Sequence, residues 1–111
     1  MAAYLKDEED LYGLIKKQTK DIVVMFTASW CKPCQTMYPV FDKLAKDSGG
    51  QVQFWKIDVD KFDDLCQGYK ISSMPTFVAI SKRNEVGRVK GANERKLKDL
   101  VKMLKDEDNS E

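Results

Sequence analysis

The sequence predicts an α/β fold, with a mixed central sheet of four main strands flanked by helices on both faces. Two observations carry this. "DIVVMFTA" (Asp21 to Ala28) is a continuous apolar run of strand length, which suits a strand covered on both faces of a sheet. Around it, helix-period and strand-period segments follow one another in the order α-β-α-β-α-β-β-α, so strands are joined through helices, implying parallel pairing, and the last two strands close as a hairpin. The chain has 111 residues, the size of one domain with one real core, and a single domain over 1–111 is expected.

Each element has its own signal. In "DEEDLYGLIKKQ", Leu11, Leu14 and Ile15 keep an i, i+3, i+4 spacing, with acids at the start and lysines at the end as the helix dipole prefers. The strand Asp21 to Ala28 follows. "PCQTMYPVFDKLAKDSGG" then reads as a helix carrying Met37, Phe41, Leu44 and Ala45; Pro39 removes one internal hydrogen bond and predicts a kink, and Gly49–Gly50 ends it. "VQFWKIDV" (Val52 to Val59) is the second strand, with Trp55 as a packing residue. "KFDDLCQGY" is a short helix with Phe62, Leu65 and Cys66 on one side. "TFVAIS" (Thr76 to Ser81) and "VGRVKG" form the hairpin across "KRNE". Asn93 can cap a final helix in which Leu97, Leu100, Val101 and Leu104 repeat at i, i+3, i+4, i+7, with its lysines on the solvated face. The polar, mostly acidic tail "KDEDNSE" (105–111) is expected to fray.

Composition narrows the function. Lysine plus arginine number 19 against 18 aspartate plus glutamate, a formal net charge of +1, so no field of one sign points to nucleic acid or to an anionic membrane. "MAAYLKDEED" lacks the basic start and the apolar stretch of about 7–15 residues of a secretory signal, and no apolar run approaches the roughly 20 residues of a membrane helix. A soluble cytoplasmic protein is expected. Thiols are kept reduced there, so a pair of cysteines two residues apart is catalytic or metal-binding more often than structural.

That pair is Cys31 and Cys34, in "TASWCKPCQTMYP". A structural zinc site usually takes four Cys or His ligands, and the chain has three cysteines and no histidine. A structural staple closing so short a loop restrains little of the unfolded chain. The favoured reading is a redox centre, in which Cys31, where strand gives way to helix, is the ionised nucleophile and Cys34, one helical turn on, is the resolving thiol. Trp30 and Pro33 would shape the rim and the turn. Cys66 falls on an apolar helix side and reads as a packing residue, with a regulatory or dimer-forming thiol as the alternative.

"WCKPC" (Trp30 to Cys34), "MPT" (Met74 to Thr76) and "GANERKL" (Gly91 to Leu97) together resemble the thioredoxin family, and the order of elements is similar along nearly the whole chain. The close "VGRVKGANERKL" is more similar to eukaryotic cytosolic thioredoxins than to bacterial ones. The resemblance implies the thioredoxin fold and a thiol-disulfide oxidoreductase that reduces protein disulfides. It implies no bound cofactor and no metal, with electrons arriving from NADPH through thioredoxin reductase. The implied partners are that reductase and disulfide-containing proteins such as peroxiredoxins, and the implied state is a monomer. A free thiol near pKa ~8.5 is brought to roughly 3.5–7.5 by helix N-termini, cations and CxxC motifs, a range established in part on thioredoxin itself. The resemblance also implies a cis peptide before Pro75, and an apolar shelf of Trp30, Met74, Pro75 and Gly91 that receives extended substrates. Two readings stand beside this one: a secretory-pathway oxidase or isomerase using the same pair, and a thioredoxin-like binding subunit without catalysis.

The sequence departs from the family in two places. Its centre is usually written WCGPC, so Lys32 replaces a glycine and sets a charge beside Cys31. Met25 stands where most thioredoxins carry a buried aspartate, thought to exchange a proton with the inner cysteine. Lys56, similar to the family's frequent lysine near that aspartate, is then expected to lose its partner and extend its amine toward water.

Overall fold

A computed structural model describes residues 2–17 and 19–109, with side chains described as far as Lys105 in the last helix. The elements are β1 (Ala3–Tyr4), α1 (Glu8–Lys16), β2 (Asp21–Thr27), α2 (Lys32–Asp47), β3 (Val52–Asp58), α3 (Asp63–Gly68), β4 (Thr76–Ser81), β5 (Asn84–Lys90) and α4 (Glu94–Asn109). They form one five-stranded sheet in the order β1-β3-β2-β4-β5. The expected α/β fold and mixed sheet are present, with one added strand. β1 is two residues long, too short for any periodicity to announce it, and it lies parallel to β3 with Tyr4 opposite Lys56.

β2 is central and buried at every position, as its unbroken apolar run requires. It pairs parallel to β3 and antiparallel to β4. The antiparallel pairing corrects the expectation that strands joined through a helix all run parallel, and helix length gives the reason. The 16 residues of α2 rise about 24 Å and return the chain along the whole sheet. The six residues of α3 rise only about 9 Å, so the chain enters β4 at the end where it left β3. β4 then turns into β5 through Lys82 and Arg83, whose φ values of 51° and 71° suit a two-residue hairpin turn.

The two faces bury separate cores. Met25, Phe54, Phe77 and Val89 pack with Met37 and Phe41 of α2 and with Leu97, Leu100, Val101 and Leu104 of α4. Phe41 lies edge-on to Phe54, ring centroids 5.3 Å apart, and 5.8 Å from Phe77. On the other face Val24, Phe26, Ile57, Val78 and Ile80 meet Leu11 of α1 and Phe62 and Leu65 around α3. Cys66 is half-buried against this second core, and Trp55 likewise packs at its margin.

The helix ends follow the sequence signals. Asp7 caps α1, its side chain accepting from the Glu9 N–H, and Asn93 accepts from the Lys96 N–H at 2.9 Å to cap α4. Gly49 and Gly50, at φ 60° and 86°, terminate α2, which runs unbroken through Pro39. The backbone of the expected tail is helical to Asn109; its side chains from 106 onward, and Ser110 and Glu111, lie outside the described residues.

Candidate active site

The site grows from the junction of β2 and α2. After Thr27 the chain turns, with the Cys31 N–H donating to the Ala28 carbonyl at 3.1 Å, and Gln35 Nε2 reaches back to the Ser29 carbonyl at 3.2 Å. Cys31 is the N-cap of α2: its backbone is extended, and its Sγ accepts from the Cys34 N–H at 3.2 Å. A sulfur at this position faces the unpaired N–H groups and the positive end of a 16-residue helix, which favour a thiolate there. Pro33 sits in the first turn, where its missing N–H costs nothing. Cys31 and Cys34 are joined as a disulfide with Cα atoms 5.3 Å apart. Cys34 is fully buried, while Cys31 keeps 6% exposure at the rim.

Around this pair the structure assembles most of the residues singled out from the sequence. Met74 packs against the core cluster that contains both cysteines. The Met74–Pro75 peptide is cis, and the Pro75 carbonyl accepts from the Gly91 N–H at 2.8 Å, which joins the two outer pieces of the expected shelf. Gly91 has φ +92°, a conformation that favours glycine. Trp30 is 63% exposed, yet its orientation is held, because the indole N–H donates to Asp60 Oδ2 at 3.0 Å. Asp60 is a site residue that the sequence alone did not mark. It is held by an Asx-type turn in which Asp58 Oδ1 accepts the Asp60 N–H at 3.0 Å, so "DVD" after a strand was the available signal. Lys32 and Pro33 are exposed on the rim.

Met25 is completely buried beneath α2, in the same cluster as Cys34. Lys56 corrects an expectation. Its side chain does not run out to water but is 7% exposed, with Nζ 3.5 Å from Asp42 Oδ1. The ammonium also lies 4.8 Å from the Tyr38 ring centroid and 5.2 Å from that of Tyr4. With no carboxylate at position 25, the lysine is satisfied by Asp42 on α2 and by two ring faces. Neither tyrosine was marked by the sequence, since Tyr4 rides on the strand that periodicity missed and Tyr38 reads as an ordinary helix residue.

Among the described residues no three His, Cys, Asp or Glu side chains cluster as metal ligands, and no helix is long and apolar enough to cross a membrane. The chemistry available is thus that of a paired dithiol at a helix N-terminus, beside a half-buried methionine and an exposed tryptophan.

Residues 3–106 match the family model for thioredoxin. Thioredoxin H2-1 of Oryza sativa subsp. japonica is 36% identical over 92% of this chain and 73% of its own length. Thioredoxin-1 of Drosophila melanogaster is 40% identical over 77% of this chain and 79% of its own. Among solved structures, Fasciola hepatica thioredoxin superposes with a TM-score of 0.86 at 39% identity, covering 94% of this chain and 99% of that one. A chain from work on the thiol resolving mechanism in yeast mitochondrial 1-Cys peroxiredoxin, via glutathione/thioredoxin systems, gives 0.85 at 33% identity, covering 93% and 95%. A WCxxC pair at disulfide distance, on this sheet and within this family, makes the chain a thiol-disulfide oxidoreductase of the disulfide-reductase kind: it belongs to the thioredoxin family.

Proposed function

We propose that the 111 residues act as one domain in which Cys31 is the nucleophile and Cys34 the resolving thiol. The observation that carries this is the Cys31 sulfur at the N-cap of α2, accepting the Cys34 N–H, with Cys34 fully buried behind it. The Cys31 thiolate attacks one sulfur of a substrate disulfide, forming a mixed disulfide and expelling the first substrate thiolate. Cys34, deprotonated, then attacks the Cys31 sulfur; the bond to substrate breaks, the second substrate thiolate leaves, and Cys31–Cys34 closes. Two electrons pass from the dithiol to the substrate. Both cysteines come from one chain, so a monomer suffices.

Extended substrates dock on the shelf of Trp30, Met74, Pro75 and Gly91, with Asp60 holding the indole. Lys32 and Pro33 modulate the rim, and Met25 and Lys56 the buried side. We assign reduction of the disulfide to NADPH through thioredoxin reductase, with no cofactor bound here. Disulfide-containing proteins such as peroxiredoxins are the substrates, a reading supported by likeness to the chain from work on thiol resolution in yeast 1-Cys peroxiredoxin. We place the cycle in the cytoplasm, where reductant for such a pair is maintained.

Trapping tests the two roles. Cys34→Ser is expected to hold substrates as stable mixed disulfides through Cys31, and Cys31→Ser to hold none. Equal trapping by the two variants would contradict the assignment.

A further inference from the structure

The shelf of Trp30, Met74, Pro75 and Gly91 carries no charge, so it does not by itself favour one residue over another beside a substrate cysteine. A cleft next to it does. Strands β1, β3 and β2 run parallel, so their carboxyl ends, at Tyr4, Asp58 and Thr27, finish on one rim of the sheet, where open α/β sheets bind their ligands. The cleft on that rim has a volume of about 150 Å³, and Tyr4, Ala28, Ser29, Asp58 and Lys61 are among its walls. It is smaller than the roughly 300–1,000 Å³ of a site for a drug-sized molecule and suits one side chain. Ala28 and Ser29 run directly into Trp30 and Cys31, so the Ser29 wall lies within about 7 Å of Cys31, Cα to Cα. The groups in and beside the cleft suit a cation. Asp58 is half-buried, and its Oδ1 accepts the Asp60 N–H at 3.0 Å. Among the described residues no lysine or arginine forms an ion pair with it. Asp60, exposed and held on the Trp30 indole, adds a second carboxylate beside the cleft. Tyr4 is 47% exposed and is a neutral phenol at neutral pH, pushed up to about 12 by Tyr38 first, then by burial, Asp58 and Asp42. The cations nearby are Lys61, which is exposed, and Lys56, whose charge Asp42 already matches.

We propose that this cleft is a specificity pocket of the disulfide reductase, and that it takes the arginine or lysine side chain of a protein substrate, two to four residues from the cysteine that Cys31 attacks. The proposal rests on the reading above in which substrates dock across Trp30. An extended chain advances about 3.3 Å per residue, so a substrate held at Cys31 brings its second to fourth neighbour over the cleft. There the Asp58 carboxylate accepts from the guanidinium or ammonium, and the Tyr4 ring packs against the cation and its apolar stem. A substrate chain crosses the site in one direction, so the residues on only one side of its cysteine reach the cleft.

The test uses the reduced full chain with Cys66→Ser, and short cysteine peptides carried as mixed disulfides with thionitrobenzoate. The Cys31 thiolate attacks the peptide sulfur, the peptide becomes disulfide-linked to Cys31, and thionitrobenzoate leaves with the electron pair and is read by its absorbance. The peptides carry arginine or glutamine three residues before or three residues after the cysteine, and a control pair carries them eight residues away. On one side of the cysteine, arginine is expected to raise the bimolecular rate about fivefold over glutamine, and by less than about twofold at eight residues. The readout is the ratio of the two rates within each protein, which a general loss at Trp30 or Cys31 does not move. Asp58→Asn, whose amide oxygen can still accept the Asp60 N–H, is expected to bring that ratio below about twofold, and Lys61→Glu to raise it about threefold. Equal rates for the arginine and glutamine peptides on both sides would overturn the pocket, as would an advantage just as large at eight residues, or a ratio that Asp58→Asn leaves unchanged. Trp30→Ala is expected to slow every peptide. If it slows none, docking across Trp30 fails and the pocket fails with it, whereas slowing without any arginine preference removes the pocket alone.

Discussion

The ammonium of Lys56 stands 3.5 Å from Oδ1 of Asp42, and the same oxygen accepts the Ala2 N–H at 3.0 Å. One carboxylate therefore neutralises a buried cation and ties the entry to β1 onto α2. Removing one partner of a fully buried pair costs about 3–5 kcal/mol because the other charge is left uncompensated, whereas replacing both partners by apolar groups of similar volume is often close to neutral. Asp42 retains 21% exposure, so Asp42→Asn is expected to cost somewhat less, about 2–3 kcal/mol of unfolding free energy. Lys56→Met leaves the carboxylate of the more exposed Asp42, which keeps the Ala2 N–H and reaches water, and is expected to cost less, about 1 kcal/mol. Urea denaturation of both variants checks the order, and a reversed order would show that Lys56 does not need Asp42.

Met25→Asp is expected to destabilise the oxidised protein by about 1–3 kcal/mol at neutral pH, because a buried polar group is poorly solvated where Met25 now packs. Lys56, its register partner on β3, limits the cost by offering a charge. A carboxyl buried there holds its proton more tightly in the folded state, so the deficit is smallest below the unfolded pKa of ~3.9 and widens as pH rises. The new acceptor is expected to speed release of a substrate held as a mixed disulfide on Cys31 between pH 6 and 8, measured by stopped flow. A stabilising substitution would contradict the packing role of residue 25.

Lys32 is exposed at the first helical position beside Cys31. A unit charge roughly 7 Å away in water contributes about 0.6 kcal/mol, less than half a pKa unit. Lys32→Gly is expected to move the midpoint of Cys31 alkylation by iodoacetamide upward by that small amount, and 0.5 M salt to erase most of the difference. A shift above about one unit would mean that Lys32 acts by more than its charge.

Alkali is expected to weaken the fold. Burial first, then Asp63, Asp58, Asp60 and Glu8, push the Cys66 thiol up from its usual 9.0. Tyr4 is pushed up to about 12, and burial raises Tyr69 above its usual 10.0. Folded pKa values above unfolded ones give stability that is complete below the unfolded values and is lost as pH rises through the folded ones. Urea midpoints should therefore fall from about pH 9 upward, and Cys66→Ser should flatten the first part of that fall. Midpoints that rise with pH would contradict these directions.

The order of the long elements was legible because each announces itself by period: β2 by its unbroken apolar run, α2 and α4 by their heptad-like stripes, and the start of α4 by Asn93. The site cysteines were legible because Trp30 to Cys34 and Met74 to Thr76 are contiguous motifs. What escaped depends on contacts across the sheet. β1 is a strand only because β3 offers it a partner, and its two residues have no pattern of their own. The burial of Lys56 follows from Asp42, fourteen positions earlier on a facing helix, and from two tyrosine rings, none of which adjoins it in sequence. The direction of β4 depended on the length of α3, which composition alone did not bound.

The central claim is that Cys31 and Cys34 cycle together as a two-electron disulfide reductase. NADPH oxidation by thioredoxin reductase, with this protein at catalytic concentration and insulin as the disulfide, measures it directly. Turnover is expected in the native chain, to be lost on either Cys31→Ser or Cys34→Ser, and to survive Cys66→Ser. Undiminished turnover in either active-site variant would contradict it.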